Sequence, residues 1–200
     1  MMNKNLTEII FVLDRSGSMA GLESDTIGGF NSLVEKQCRL EGETLLTAVL
    51  FDDQYEVLWN GVNAKTVKLT DKDYYVRGCT ALFDAIGKTI TDVGHRLSQT
   101  KEEERPGKVI FVIMTDGLEN ASCEFTHKKV REMIKHQEEK YNWEFMFIGA
   151  NIDAEKEADN IGIMKENAYE FEATSVGIQN MYCAMSDEIS ERRMKSKQDS

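Results

Sequence analysis

Two short apolar runs, residues 9–13 (Ile-Ile-Phe-Val-Leu) and 109–114 (Val-Ile-Phe-Val-Ile-Met), each break off into an aspartate-bearing turn, Asp14-Arg15-Ser16-Gly17-Ser18 and Thr115-Asp116-Gly117. Runs this short and this rich in β-branched residues read as strands buried on both faces, the condition of a parallel sheet covered by helices. In an open α/β sheet, ligands bind in the crevice outside the carboxyl ends of the strands, and both aspartates are expected on that edge. Side-chain oxygens gathered there, in two segments without cysteine or histidine, suit a hard cation such as Mg²⁺ or Mn²⁺ rather than zinc.

The rest of the chain alternates strand and helix. Ile27, Phe30, Val34 and Cys38 recur at helical spacing over residues 25–38, and the Gly28-Gly29 pair that weakens this helix is expected to serve close packing against the sheet. Residues 45–51 read as a buried strand and 55–62 as a more polar one. Only Asp52-Asp53-Gln54 joins them, so they form a hairpin whose second strand runs antiparallel at an edge. Thr80 opens a helix with the apolar stripe Leu82, Ile86, Ile90, Val93 and Leu97, and a charged loop holding Pro106 follows it. Then come a polar helix (128–140), a strand (144–149), a short helix (154–161), a short strand (168–171) and an amphipathic helix marked by Ile178, Met181, Tyr182, Met185 and Ile189. The expectation is an α/β, doubly wound, mostly parallel central sheet with one antiparallel edge strand and helices on both faces. It fills a single domain over residues 1–191, with a frayed polar tail at 192–200.

Charge narrows the function. Twenty-four Lys and Arg against 35 Asp and Glu leave a formal charge of −11. That disfavours a broad electrostatic grip on nucleic acid, and no direct nucleic-acid partner is expected. Residues 1–8 lack a signal peptide's apolar core, and residues 9–13 are far too short to span a bilayer, so a cytoplasmic protein without a membrane partner is expected. Cys38, Cys79, Cys123 and Cys183 form no C-x-x-C pair and read as reduced, mostly buried thiols, with Cys79 beside the candidate site. His127 and His136 are nine residues apart, on opposite faces of one helix, and cannot form a two-histidine metal face. His95 lies off the apolar stripe of its own helix.

Asp14-Arg15-Ser16-Gly17-Ser18-Met19 has the D-x-S-x-S pattern of von Willebrand factor A domains. Thr80, within Gly78-Cys79-Thr80-Ala81-Leu82, and Asp116, within Thr115-Asp116-Gly117, match that family's other two metal-site segments in order and approximate spacing. The resemblance extends from about residue 8 to at least residue 171, and is nearest to the stand-alone bacterial or phage members. It implies a metal-ion-dependent adhesion site. Ser16 and Ser18 would bind the ion through their hydroxyls, Thr80 directly or through water, and Asp14 and Asp116 would stand mostly behind them. The ion would be Mg²⁺ or Mn²⁺ in preference to Ca²⁺. Neutral ligands leave such an ion short of negative charge, so its open position favours a partner's Asp or Glu. Surface repulsion from the acidic chain is screened over about 8 Å at physiological salt, whereas direct metal contact is not.

The resemblance therefore implies a divalent-metal-dependent protein-binding module, not an enzyme, whose partner offers an acidic residue. Many cellular relatives work beside a ring-shaped AAA+ ATPase. Met19, Cys79, Gly117, Glu119 and Asn120 are the candidate rim, and Asp84, one turn beyond Thr80, either tunes the site or caps a backbone segment. Two rivals remain. A metal-dependent phosphohydrolase or phosphotransferase would use Asp14 as nucleophile, but such enzymes want a second aspartate where Ser16 stands, and serine is a poor proton shuttle near pH 7. A ribonucleoprotein subunit is disfavoured by the acidic balance and the lack of interleaved aromatic and basic residues.

Overall fold

The computed structural model describes residues 2–198. Six strands form one sheet in the order β3-β2-β1-β4-β5-β6: β1 (Asn3–Asp14), β2 (Glu43–Phe51), β3 (Tyr55–Asn63), β4 (Pro106–Thr115), β5 (Glu144–Ala150) and β6 (Ala168–Phe171). All neighbours pair in parallel except β2 and β3, whose hairpin puts β3 antiparallel at an edge. Among the described residues five α-helices cover the sheet: α1 (Glu23–Arg39), α2 (Leu82–Gln99), α3 (His127–Tyr141), α4 (Ala154–Asn160) and α5 (Ser175–Gln198). The α/β class, the mostly parallel sheet and the antiparallel edge strand are as the sequence implies. Among the described residues no helix is long and apolar enough to cross a membrane.

The strand periodicity explains the two layers. On β1, Ile9, Phe11 and Leu13 face the side covered by α1 and α5, whereas Ile10 and Val12 face α2, α3 and α4. Every one of these side chains is essentially inaccessible. The same division holds for Ile110 and Val112 against Phe111 and Ile113 on β4, which is why both runs read as unbroken apolar stretches.

Connectivity fixes the site. Helix α1 leads from β1 to β2 on one face, while α3 leads from β4 to β5 on the other. The connections leaving the carboxyl ends of β1 and β4 therefore diverge, which in an open α/β sheet makes the ligand-binding crevice, and Asp14 and Asp116 stand at that edge.

Three expectations are corrected. Gly29 does allow a close approach, but to α5 rather than to the sheet: a Cβ there would lie 2.2 Å from the Tyr182 ring. The polar tail expected from residue 192 is a continuation of α5. Arg193 is buried and donates to the Gln37 carbonyl (2.9 Å), and Arg192 reaches Asn167 Oδ1 (2.6 Å), so long-range partners extend the helix to Gln198. Residues 199–200 of that tail lie outside the described residues. The thiols are not mostly buried: Cys79, Cys123 and Cys183 are exposed, Cys38 is half-buried, and all four are free.

The Gly29 contact sets up an opposed pair of outcomes. Gly29→Ala should destabilise by about 1–3 kcal/mol through overpacking. Gly28→Ala, with nothing within 4 Å of the added carbon, should stabilise by roughly 0.5–1 kcal/mol through helix propensity. Urea melts of the two variants decide it; shifts of the same sign would contradict this packing of α1 on α5.

Candidate metal centre

The site is assembled at the end of β1. The Asp14 carboxylate turns back on its own loop, accepting from the Ser16 backbone N–H through Oδ1 (2.7 Å) and from Thr115 Oγ1 through Oδ2 (2.6 Å). The Tyr74 hydroxyl donates to the Asp14 carbonyl (2.7 Å). The chain then makes a 3₁₀ turn, Gly17–Met19, closed by the Met19 N–H on the Ser16 carbonyl (3.0 Å). This turn exposes Ser18 and drives Met19 inward, where it is 1% accessible in the core beneath α1. Met19 is therefore not a rim residue.

The hydroxyls converge. Ser16 Oγ and Ser18 Oγ share a hydrogen bond at 3.1 Å, and Ser18 Oγ donates to Asp116 Oδ1 at 2.6 Å, across 98 residues of sequence. Thr80 joins them around Gly117: a Cβ on that glycine would stand 2.9 Å from Thr80 Oγ1 and 3.8 Å from Ser18 Oγ. Position 117 thus leaves open a small space that any other side chain would fill. Thr80 is buried in the approach to α2, which begins two residues later at Leu82, and does not itself open the helix.

Burial acts on both carboxylates. Loss of solvent pushes Asp14 up to about 6, against the hydrogen bonds from Ser16 and Thr115, and the nearby charge of Asp116 pushes the same way. Burial also raises Asp116, opposed by the Ser18 hydroxyl. Among the described residues neither has an ion-pair partner. The guanidinium of Arg15, next in the chain, points away to Asp52 Oδ2 (2.9 Å) and Glu56 Oε2 (2.7 Å). Two desolvated acids beside three hydroxyls form a set that a hard divalent cation would satisfy. Among the described residues no three His, Cys, Asp or Glu side chains converge, so the fit to a cation depends on the hydroxyls.

The loop after β4 differs from expectation. Glu119, partly buried, and Asn120, exposed, hold the site's supports together. Asn120 Oδ1 accepts from the Thr80 N–H (3.0 Å), and the Asn120 N–H donates back to the Thr80 carbonyl (3.0 Å). Glu119 accepts from the N–H groups of Phe83 (2.9 Å), Ala121 (2.9 Å) and Ser122 (2.7 Å), which leaves its carboxylate fully engaged. Cys79 and Gly117 do lie at the surface beside Thr80, and Leu118, 57% exposed, was not anticipated there. Sequence reasoning also missed Thr115, Tyr74 and Arg15. A threonine directly before Asp116 was the available signal for Thr115. Nothing local marks Tyr74 or the burial of Arg15.

Asp84 is a capping carboxylate. It accepts from the N–H groups of Cys123 (2.9 Å), Glu124 (2.9 Å) and Phe125 (2.7 Å), and although burial alone would raise its carboxyl, these bonds hold it below the ordinary range. Its stabilisation is therefore present above the unfolded-state value near pH 4 and is lost as pH falls through the lowered folded-state value. Asp84→Asn should cost about 1–3 kcal/mol at pH 7 and flatten the acid limb of stability against pH. Equal slopes for both proteins in acid would contradict the assignment. His127 and His136 are exposed, against Phe83 and Tyr141 respectively, and take no part in the site.

No family model matches the sequence, and no curated protein matches it. Solved structures do match in shape. Proximal thread matrix protein 1 from the mussel byssus, in a structure described as having a zinc-occupied MIDAS motif, superposes with a TM-score of 0.65 at 15% identity, over 98% of this chain and 47% of that one. The open conformation of the pilus adhesin SpaC from Lactobacillus rhamnosus GG gives 0.66 at 12% identity, covering 94% of this chain and 30% of the adhesin. The ArnB paralog VWA2 from Sulfolobus acidocaldarius gives 0.57 at 17%, over 90% and 44%. The chain thus spans about half the length, or less, of these proteins. The neighbours are von Willebrand factor A domain proteins, and the fold of this chain is the α/β fold of that domain.

Proposed function

We propose that the chain is a divalent-metal-dependent protein-binding module that captures an acidic residue of its partner, with Mg²⁺ or Mn²⁺ at the site. The observation that carries this reading is the convergence of the Ser16, Ser18 and Thr80 hydroxyls at the mouth of the crevice, with Asp14 and Asp116 bonded behind them. The mussel protein's zinc-occupied motif and the adhesin on the same fold support it.

Each residue has a share of the work. Asp14 fixes the loop by binding the Ser16 N–H, which aims the Ser16 hydroxyl at Ser18. Asp116 orients Ser18 by accepting its hydroxyl hydrogen bond, so Ser16 donates in the bond between the two serines and Ser18 keeps a lone pair for an ion. Gly117 keeps the space in front of Thr80 clear. A bound divalent ion supplies positive charge that neutral hydroxyls leave uncompensated, and a partner's carboxylate is its natural complement. Asp14 is poorly placed as a phosphohydrolase nucleophile: it is 1% accessible, and both its oxygens are engaged. Partner proteins held on the immobilised chain in Mg²⁺ should be released by EDTA and not be held by Ser16→Ala. Retention that survives both treatments would overturn the reading.

A further inference from the structure

Three segments reach the candidate metal centre: those of Asp14 and Asp116 meet directly through Ser18 and Thr115, and a residue outside the centre joins the first of them to the segment of Thr80. Asp52 opens the β2–β3 turn, and its side chain is fully inaccessible. Its Oδ2 accepts from Arg15 Nε (2.9 Å), in the loop of Ser16 and Ser18, and from Arg77 Nε (2.7 Å), in the loop leading to Thr80. Its Oδ1 accepts from the Gln54 N–H (2.6 Å), and its carbonyl accepts from the Ala81 N–H (2.8 Å), directly after Thr80.

The surroundings reinforce this junction. The Arg77 N–H donates to the Arg15 carbonyl (2.9 Å), and Arg77 Nη2 donates to Gln54 Oε1 (2.9 Å). The Tyr75 ring lies 5.3 Å from the Arg15 guanidinium carbon and 5.4 Å from that of Arg77. Gly78, at φ +67°, brings the backbone so close that a Cβ would fall 2.3 Å from Asp53 Oδ1 and 3.3 Å from Asp52 Cβ. A residue whose buried carboxylate binds two cations and one backbone N–H, and whose main-chain carbonyl binds another, holds those segments at a fixed separation.

We propose that Asp52 is a positioning residue for the metal centre: through Arg15, Arg77 and Ala81 it sets the distance between the Ser16 and Ser18 hydroxyls and the Thr80 hydroxyl. The inference rests on the metal-binding reading above. It assigns a role to a side chain whose hydrogen bonds go to Arg15, Gln54 and Arg77 and to none of the five site residues' side chains.

The test compares thermal unfolding in EDTA with unfolding in Mn²⁺, and Mn²⁺ affinity by electron paramagnetic resonance, for wild type, Asp52→Asn, Arg77→Gln and Glu8→Gln. A residue that only supports the fold lowers the unfolding temperature equally with and without the ion. Glu8→Gln should do this, since its buried pairing with Arg96 lies six residues along β1 from Asp14, roughly 20 Å away. A positioning residue instead shrinks the gain that the ion confers. Asp52→Asn and Arg77→Gln should each weaken Mn²⁺ binding by about 10-fold or more. Arg77 is partly exposed, with 37% of its side chain accessible, so its variant keeps the test open if Asp52→Asn does not fold. Wild-type affinity in the folded variants would overturn this inference alone. A wild type that gains nothing from Mn²⁺ would overturn the metal reading, and this inference with it.

Discussion

Arg15→Met should cost about 3 kcal/mol, at the lower end for breaking a buried ion pair, which at this chain length is roughly 6–12 °C in the unfolding temperature. Arg15 is wholly buried, the largest fully buried side chain described. Methionine matches much of its length, so packing is largely kept while the bonds to Asp52 and Glu56 are lost. Asp52 retains Arg77, and Glu56, half-exposed, can turn to solvent, which is why the expected cost is not larger. One guanidinium nitrogen, Nη2, has no hydrogen-bond partner among the described residues, which also lowers what the native arrangement gains. Chemical denaturation of the pair of proteins measures it. A change within about 0.5 kcal/mol, the ordinary range of a surface substitution, would contradict the role given to Arg15.

The location of Arg15 also bears on the site. It follows Asp14 directly, and an uncompensated guanidinium there would repel a divalent ion. Asp52 and Glu56 draw its charge away and neutralise it.

Much of this architecture is legible in the sequence because it depends on local patterns. Residues 9–13 of β1 and 109–114 of β4 are buried throughout, so their apolar runs are unbroken and their ends sharp. The turn after β2 is too short for a crossover, which forces the antiparallel hairpin. Asp14, Ser16, Ser18 and Asp116 are brought together as their spacing and position at strand ends imply, and Thr80 joins them around Gly117. One misreading is local: Met19 turns inward because a 3₁₀ turn follows Ser16. The others depend on partners distant in sequence. Asn120 and Glu119 are recruited by backbone N–H groups of residues 80 and 83. Helix α5 persists because Arg193 finds Gln37, 156 residues earlier. No window of sequence contains such pairings.

The second large effect is that of the ion. Ser16 is 2% accessible, and its hydroxyl lies between the Asp14 loop and Ser18. Ser16→Ala removes a donor atom from the centre of the set while leaving the Ser16 N–H bond to Asp14 possible, so loss of metal response should exceed loss of stability. An ion at 100 times its Kd stabilises the native state by about 2.7 kcal/mol, very roughly 5–10 °C for a chain of this size. The most direct measurement is thermal unfolding of wild type and Ser16→Ala in EDTA, Mg²⁺, Mn²⁺ and Ca²⁺. The account predicts a rise of that size for wild type in Mg²⁺ or Mn²⁺, a smaller one in Ca²⁺, and none for the variant. No rise in any of these ions, or an equal rise in both proteins, would contradict it.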